Sequence, residues 1–452
     1  MAIFKTLVLA SSLASTAWST SPYQQDSQET PYYRDYFYVG GSYVDDGAGG
    51  HIYSNQMYVE KLQSFQSTQS SLPPIVMIHG QAQTGTNFLN KPDGGTGWAS
   101  NYLSDGHTVY IVDQTFRGRS PWAPGAGRPL PSTYSAELIQ QRFTAVQDYN
   151  LWPQAKLHTQ WPDSGRMGSP VFDAFYSSNV QFINNATYQQ STVQTAGASL
   201  LDRIGEPVIL FGHSQGTLMP LLIADARPAL TKAIILIEPT GPPFQDAVFS
   251  TRDTRPYGLT DIPLTYSPPI SSPSELIRQT YPPPVANADN STIPCILQAE
   301  SPSPRQLPNL ASKPVLIVTG EASYHAPYDY CTAAFLKQAG VERTEHVELA
   351  KEGIEGNGHL MFMERNSDVV WRRVQKWIYL PPLRRTSRTF PSTSSLKPPS
   401  PALLPSISNN APLTPTTSLS IALLLLLTTL TTATLDPATS NTKSKNPSQP
   451  GW

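Results

Sequence analysis

Apolar residues along this chain recur in short dense runs set apart by polar stretches marked with glycine and proline. Pro74 to Gly80, His107 to Gln114, Pro207 to Gly212, Lys232 to Glu238 and Lys313 to Gly320 are apolar on both faces and rich in β-branched residues, and Thr344 to Leu349 adds a sixth run. Strands covered on both sides read this way, because neither face meets water. Segments with helical character lie between them: Gly97 to Leu103, Val193 to Ile204, Thr217 to Ala226, Asp329 to Ala339 and Ser367 to Ile378. The alternation predicts an α/β fold, a mostly parallel central sheet with helices on both faces. Ahead of it, Tyr36 to Gly41 and His51 to Lys61 flank a Gly- and Asp-rich turn and predict an antiparallel pair.

The folded unit runs from 32 to 381. Two connections are too long for simple crossovers. One occupies residues 115–192 and holds Trp152, Trp161 and the aromatic cluster Phe172 to Tyr176; the other, 239–312, is rich in proline. Insertions at the C-terminal ends of parallel strands overhang the crevice where such sheets bind ligands, so both are expected to form cap elements. A proline-stiffened surface excursion is the plainer alternative.

Composition narrows the setting. The formal charge is −2 over 452 residues with 14% charged, a balance that gives no reason to expect nucleic acid as a partner. A short basic start, an apolar run from Thr6 to Ala14 and the small residues Ser15 to Ala17 predict a signal peptide over 1–19. Secretion would make Asn185 and Asn290, each in an Asn-x-Thr sequon, candidates for glycosylation. The two cysteines, Cys295 and Cys331, permit one disulfide, with a pair of buried thiols as the alternative. No His or Cys spacing suggests a metal, and no cofactor is expected. At the other end, 382–417 is Ser/Thr/Pro-rich and reads as a disordered stalk, 418–435 is apolar, and 436–452 is a polar tail. That arrangement resembles a lipid-anchor signal, although the tail follows the apolar run; a membrane span and a misassigned gene end are the competing readings.

The chemistry centres on Gly212-His213-Ser214-Gln215-Gly216, a G-x-S-x-G pattern directly after an apolar strand and before a helix. In that setting the flanking glycines allow a strained turn that projects the serine hydroxyl beyond the sheet, at a helix N-terminus. Serine needs an adjacent base. Of the eight histidines, His359 lies on a glycine-rich loop between the last strand and the last helix, where it can swing over the turn. His325 is the next candidate, while His79 and His213 are expected to be structural. Two backbone N–H groups, those of Gln81 and Gln215, are positioned to form an oxyanion hole.

The segments FYVGGSYV, QWPDSGRMGSPVFDAFY, GHSQG and GNGHLMFMERN, together with His79, Gly85, Trp98 and the Glu238-Pro239 strand end, carry a more specific likeness. From about Tyr36 to Ile378 the chain resembles the secreted bacterial esterases known as esterase 713, within the α/β-hydrolase superfamily. The resemblance implies an esterase with a Ser214, Glu238 and His359 triad. The bacterial group carries adjacent cysteines where this chain has Gln81-Ala82, so a constraint on that loop is absent here.

The residues support Glu238 independently. In most α/β-hydrolases the acid follows the strand found here at Lys313 to Gly320, but the usual position holds a serine, Ser323. Glu238 ends the strand after the elbow helix and Pro239 stops it, so its carboxylate is expected near the pocket. Asp329, at a helix start, is the rival acid. The expected function is a serine carboxylic-ester hydrolase acting on a small-molecule ester, apolar or aromatic to judge by the aromatic insertion. Lyase, C–C hydrolase or acyltransferase chemistry with the same residues is the alternative, as is a non-catalytic binding protein.

Overall fold

The computed structural model describes residues 29–65, 72–123, 131–284 and 291–379. The leader 1–19, Asn290, and the segments 382–417, 418–435 and 436–452 lie outside these residues. Eight strands form one sheet: β1 (Tyr32–Asp45), β2 (His51–Ser64), β3 (Ile75–Ile78), β4 (Thr108–Asp113), β5 (Val208–His213), β6 (Thr231–Ile237), β7 (Val315–Thr319) and β8 (Thr344–Glu348). Their spatial order is β1-β2-β4-β3-β5-β6-β7-β8. β2 pairs antiparallel with both neighbours, and every pairing from β4 to β8 is parallel.

The central strands are wholly buried, and their alternate residues feed two separate cores. Val76, Ile78, Leu210, Ile234, Leu236, Val315 and Ile317 face one cluster; Ile75, Met77, Ile209, Phe211, Ile235, Ile237, Leu316 and Val318 face the other. The first core is closed by α4 (Ala186–Ile204), α5 (Leu218–Ala226) and α6 (Asp329–Gln338), which contribute Leu200, Leu222 and Phe335. The second is closed by α1 (Trp98–Ser104), α3 (Pro170–Ser177) and α7 (Ser367–Ile378), through Trp98, Phe172 and Val374. A leucine or isoleucine buried this completely contributes about 1.5–3 kcal/mol, so each strand is fixed by both of its faces.

α4 starts earlier than its apolar pattern predicts. Asn185 caps it by accepting from the Tyr188 N–H, which extends the helix over the polar turn at Ala186. The first insertion also contains two helices that sequence periodicity did not resolve, α3 and α2 (Ala136–Ile139). α2 runs into a π-helical turn, Gln140–Thr144. The ends of the insertion are drawn together where Pro131–Ser132 pairs with Phe182–Ile183.

The second insertion forms a hairpin, Arg278–Tyr281 with Cys295–Gln298. A disulfide joins Cys295 to Cys331 in α6, so the hairpin is tied to a core helix. Among the described residues no helix is long and apolar enough to cross a membrane.

The bridge closes a loop between cysteines 36 positions apart. Replacing both with alanine is expected to remove roughly 3–4 kcal/mol of stability through the freedom returned to the unfolded chain. Calorimetry reads this as a lower Tm, and limited proteolysis as earliest cleavage within 278–298. An unchanged Tm would mean that the hairpin is held by its packing alone.

Candidate active site

Ser214 follows the last residue of β5 at φ 54°, in the left-handed region that non-glycine residues rarely occupy. Such a residue costs about 1–3 kcal/mol and persists where its surroundings over-determine it. Here they do. A Cβ at position 212 would fall 2.6 Å from the Gly216 carbonyl oxygen, and one at 216 would fall 2.2 Å from that of His79. Both glycines are therefore needed for the turn to close against β3. A 3₁₀ turn, Ser214–Thr217, leads directly into α5.

Glu238 follows β6 and also sits at φ 54°. Its N–H donates to the Val318 carbonyl at 3.0 Å, continuing the parallel register with β7. This turns the carboxyl into the interior, where it is fully buried. The Gly320 N–H donates to Oε1 at 2.6 Å, and the Ser323 hydroxyl donates to Oε2. The serine in the usual acid position thus holds an acid supplied by the neighbouring strand. His359 Nδ1 lies 3.4 Å from the same Oε2.

The histidine is placed by a buried carboxylate of its own loop. Glu364 accepts from the Gly358 N–H at 2.9 Å and from the Asn357 side chain at 2.7 Å, and contacts His158 Nε2 at 2.8 Å. His158 belongs to the first insertion, and the Thr159 N–H donates to the Gly356 carbonyl at 3.0 Å. His213 Nε2 meets the His359 carbonyl at 3.0 Å, and His79 bridges Gly80 and the Gln114 N–H. Both are structural hydrogen-bonding groups.

Ser214, His359, Gly80, Gln81 and His213 line one cavity, roofed by Tyr134, Leu138, Ile139, Arg142 and Phe143 from the first insertion and walled by Tyr324. Phe143 stacks on the His359 ring at 5.0 Å. The second insertion approaches through Phe249, in contact with Tyr324. Next to Gln81, Ala82 adopts φ 56°, bending the loop after β3.

Residues 75–373 match the alpha/beta hydrolase family. The chain belongs to this family. It is 44% identical over 343 residues to "Probable secreted lipase phiG" of Fungal sp. (strain ATCC 74256), a match covering 76% of this chain and 88% of the relative. Among solved structures it is similar to "The Atomic Resolution Structure of a Novel Bacterial Esterase", with 21% identity, 77% of this chain and 96% of that chain covered, and a TM-score of 0.49. It is also similar to the peroxisomal alpha-beta-hydrolase Lpx1 from Saccharomyces cerevisiae, with 12% identity, 78% and 89% covered, and a TM-score of 0.36.

Two further residues of this alpha/beta hydrolase complete the surroundings of Glu238. Asp329 begins α6, where the sequence placed it. It is fully buried, its oxygens engaged by His325 Nδ1 at 3.0 Å and the Thr319 hydroxyl at 2.7 Å. His325 stacks on His359 with ring centroids 4.8 Å apart, and its Nε2 lies 3.9 Å from Glu238 Oε2. His325 thus stands between the two acids. Burial pushes Asp329 well above the usual carboxylate range and Glu238 up to about 8, with His325 opposing the latter rise. Burial holds His325 down to about 4, and burial with the neighbouring His213 and His325 holds His359 well below its ordinary value. Ligand atoms of Glu238, His325 and His359 lie within 4.8 Å of one another.

In the folded protein Glu238 keeps its proton up to about pH 8, whereas its ordinary value is 4.5. Between those values the folded state binds the extra proton, so this group's contribution to stability is full at the acid end and is lost as pH rises. Glu238→Gln is expected to gain Tm over the parent progressively from about pH 5 to about pH 8. Thermal scans across that range would show a gap that widens; a constant gap would mean that the buried carboxyl is not titrating there.

Proposed function

We propose that the protein is a serine carboxylic-ester hydrolase in which Ser214 is the nucleophile, His359 the base and Glu238 the acid. The observation that carries this reading is the approach of Glu238 Oε2 to His359 Nδ1 at 3.4 Å, beside a strained serine in the same cavity. With Nδ1 engaged, Nε2 is the ring nitrogen left to take the Ser214 proton. The neutral imidazole that burial favours is the form a base must have.

Ser214 Oγ attacks the ester carbonyl as His359 removes its proton, and Glu238, ionised above about pH 8, stabilises the imidazolium that results, so turnover rises toward that pH. The oxyanion accepts from the backbone N–H groups of Gln81 and Gln215, the second at the start of the turn leading into α5. Collapse of the tetrahedral species expels the alcohol, which leaves with the proton from His359. Water then attacks the acyl-enzyme by the same route, releasing the acid and restoring Ser214.

The relative named a secreted lipase favours esters over the other reactions this fold hosts, and favours secretion. The esterase 713 likeness is consistent with both. Asn185 is exposed at the α4 cap, open to glycosylation in a secreted chain. Its substrates would be small esters, held between the first insertion and the strand ends.

Ser214→Ala is expected to fold normally, lose labelling by a fluorophosphonate probe, and lose roughly 10⁴-fold or more in kcat on a short-chain ester. Hydrolysis within about tenfold of the parent would overturn the mechanism.

The acid is tested by comparing Glu238→Gln with Asp329→Asn at about pH 9, where Glu238 is ionised. The first is expected to lower kcat by orders of magnitude, the second far less, because Asp329 reaches His359 only through His325. A near-silent Glu238→Gln beside a crippled Asp329→Asn would return the acid to the loop after β7.

A further inference from the structure

The cavity beside Ser214 is mostly uncharged. Tyr134, Leu138, Ile139, Phe143 and Tyr324 supply apolar or aromatic walls, and burial raises both tyrosine hydroxyls above their ordinary values, leaving them protonated. His213 and His359 are held neutral by the same burial. Arg142 is the exception. It is the one lining residue that carries a formal charge, and it is partly buried. Among the described residues it makes no ion pair. Its guanidinium carbon lies 4.1 Å from the centroid of the Phe249 ring, so the second insertion supports the cation from behind with an aromatic face.

A second cation stands under the same cavity. Arg117 is fully buried and donates to the Gly80 carbonyl at 2.8 Å and to Gln81 Oε1 at 2.6 Å, with no carboxylate partner among the described residues. The Glu238 carboxyl lies behind His359 and is committed to Gly320 and Ser323. Low-dielectric walls concentrate the field of both arginines in the cavity. A partly buried guanidinium without a counter-charge is unfavourable until an anion arrives, and its planar fork matches a carboxylate.

We infer that Arg142 is an anion-binding subsite of the substrate cavity, so that the preferred esters carry a free carboxylate in addition to the scissile bond. The inference rests on the proposed ester hydrolysis and names the substrate class for it. The apolar walls take the carbon chain between the two ends: the ester at Ser214 and the carboxylate at Arg142. The position of Arg142 on a π-helical turn suits this role, since π turns displace side chains from a regular helix face.

Two matched pairs of esters test the subsite. Monoethyl adipate against ethyl hexanoate places the carboxylate on the acyl side; 6-acetoxyhexanoate against hexyl acetate places it on the alcohol side. In at least one pair the parent enzyme is expected to favour the charged member in kcat/KM by about tenfold or more. Arg142→Gln should abolish that ratio, Arg142→Lys should retain part of it, and the exposed cation variant Arg166→Gln should leave it unchanged. No preference in either pair, or a preference that survives Arg142→Gln, would overturn the inference. Binding of the same four probes to Ser214→Ala, measured by calorimetry, reads the subsite without turnover. Tighter binding of a charged member that depends on Arg142 would uphold the subsite even if no ester were cleaved, a result that would count against ester hydrolysis alone.

Discussion

A carboxyl group taken wholly out of water must be met by donors, and at residue 238 this requirement organises the site. Glu238 leaves β6 in a left-handed conformation that turns its side chain inward, and the parallel register with β7 brings Gly320 and Ser323 to its two oxygens. His325 approaches the same carboxyl while holding the second buried acid, Asp329. Two acids and two histidines sharing one interior cannot all be charged, so burial lifts the acids and depresses the histidines. The site is thereby left with a neutral imidazole beside a carboxyl that ionises only above about pH 8. This arrangement lowers stability at alkaline pH, a burden that functional sites commonly carry.

His359 is positioned by more than Glu238. Glu364 gathers the Asn357-Gly358 backbone and side chain and reaches His158 in the first insertion, so the loop that presents His359 is pinned from the insertion's side. The segment that roofs the cavity is therefore mechanically continuous with the His359 loop. Any rearrangement of the roof that admits a substrate would be felt at His359 through Phe143 and His158. The disulfide plays a comparable part for the second insertion, whose Phe249 stands behind Arg142.

The sheet, most of its helices and the elbow were legible in the chain because each has a local signature. Strands buried on both faces must be apolar throughout, and the left-handed turn at Ser214 must be flanked by residues without a Cβ. The extra turns of α4 depended on one capping side chain, and α2 and α3 span only four and eight residues, too short for a period to stand out in a long insertion. Those elements were hidden because their stability comes from what they touch.

Residue types along the chain determined by themselves that an alpha/beta sheet would carry Ser214 at a strand end, with His359 and Glu238 as candidates near it. Only the tertiary structure decided how the remaining polar groups are used. Asp329 reads in sequence as an ordinary helix-start carboxylate, yet packing removes it from water and pairs it with His325. Glu364 drew no attention in the sequence, yet it anchors the loop of His359. Arg142 has no sequence signature at all, because a cation becomes a recognition group only when folding surrounds it with apolar walls and withholds its counter-charge. Burial and the absence or presence of a partner are properties of the assembled interior, and no local pattern of residues encodes them.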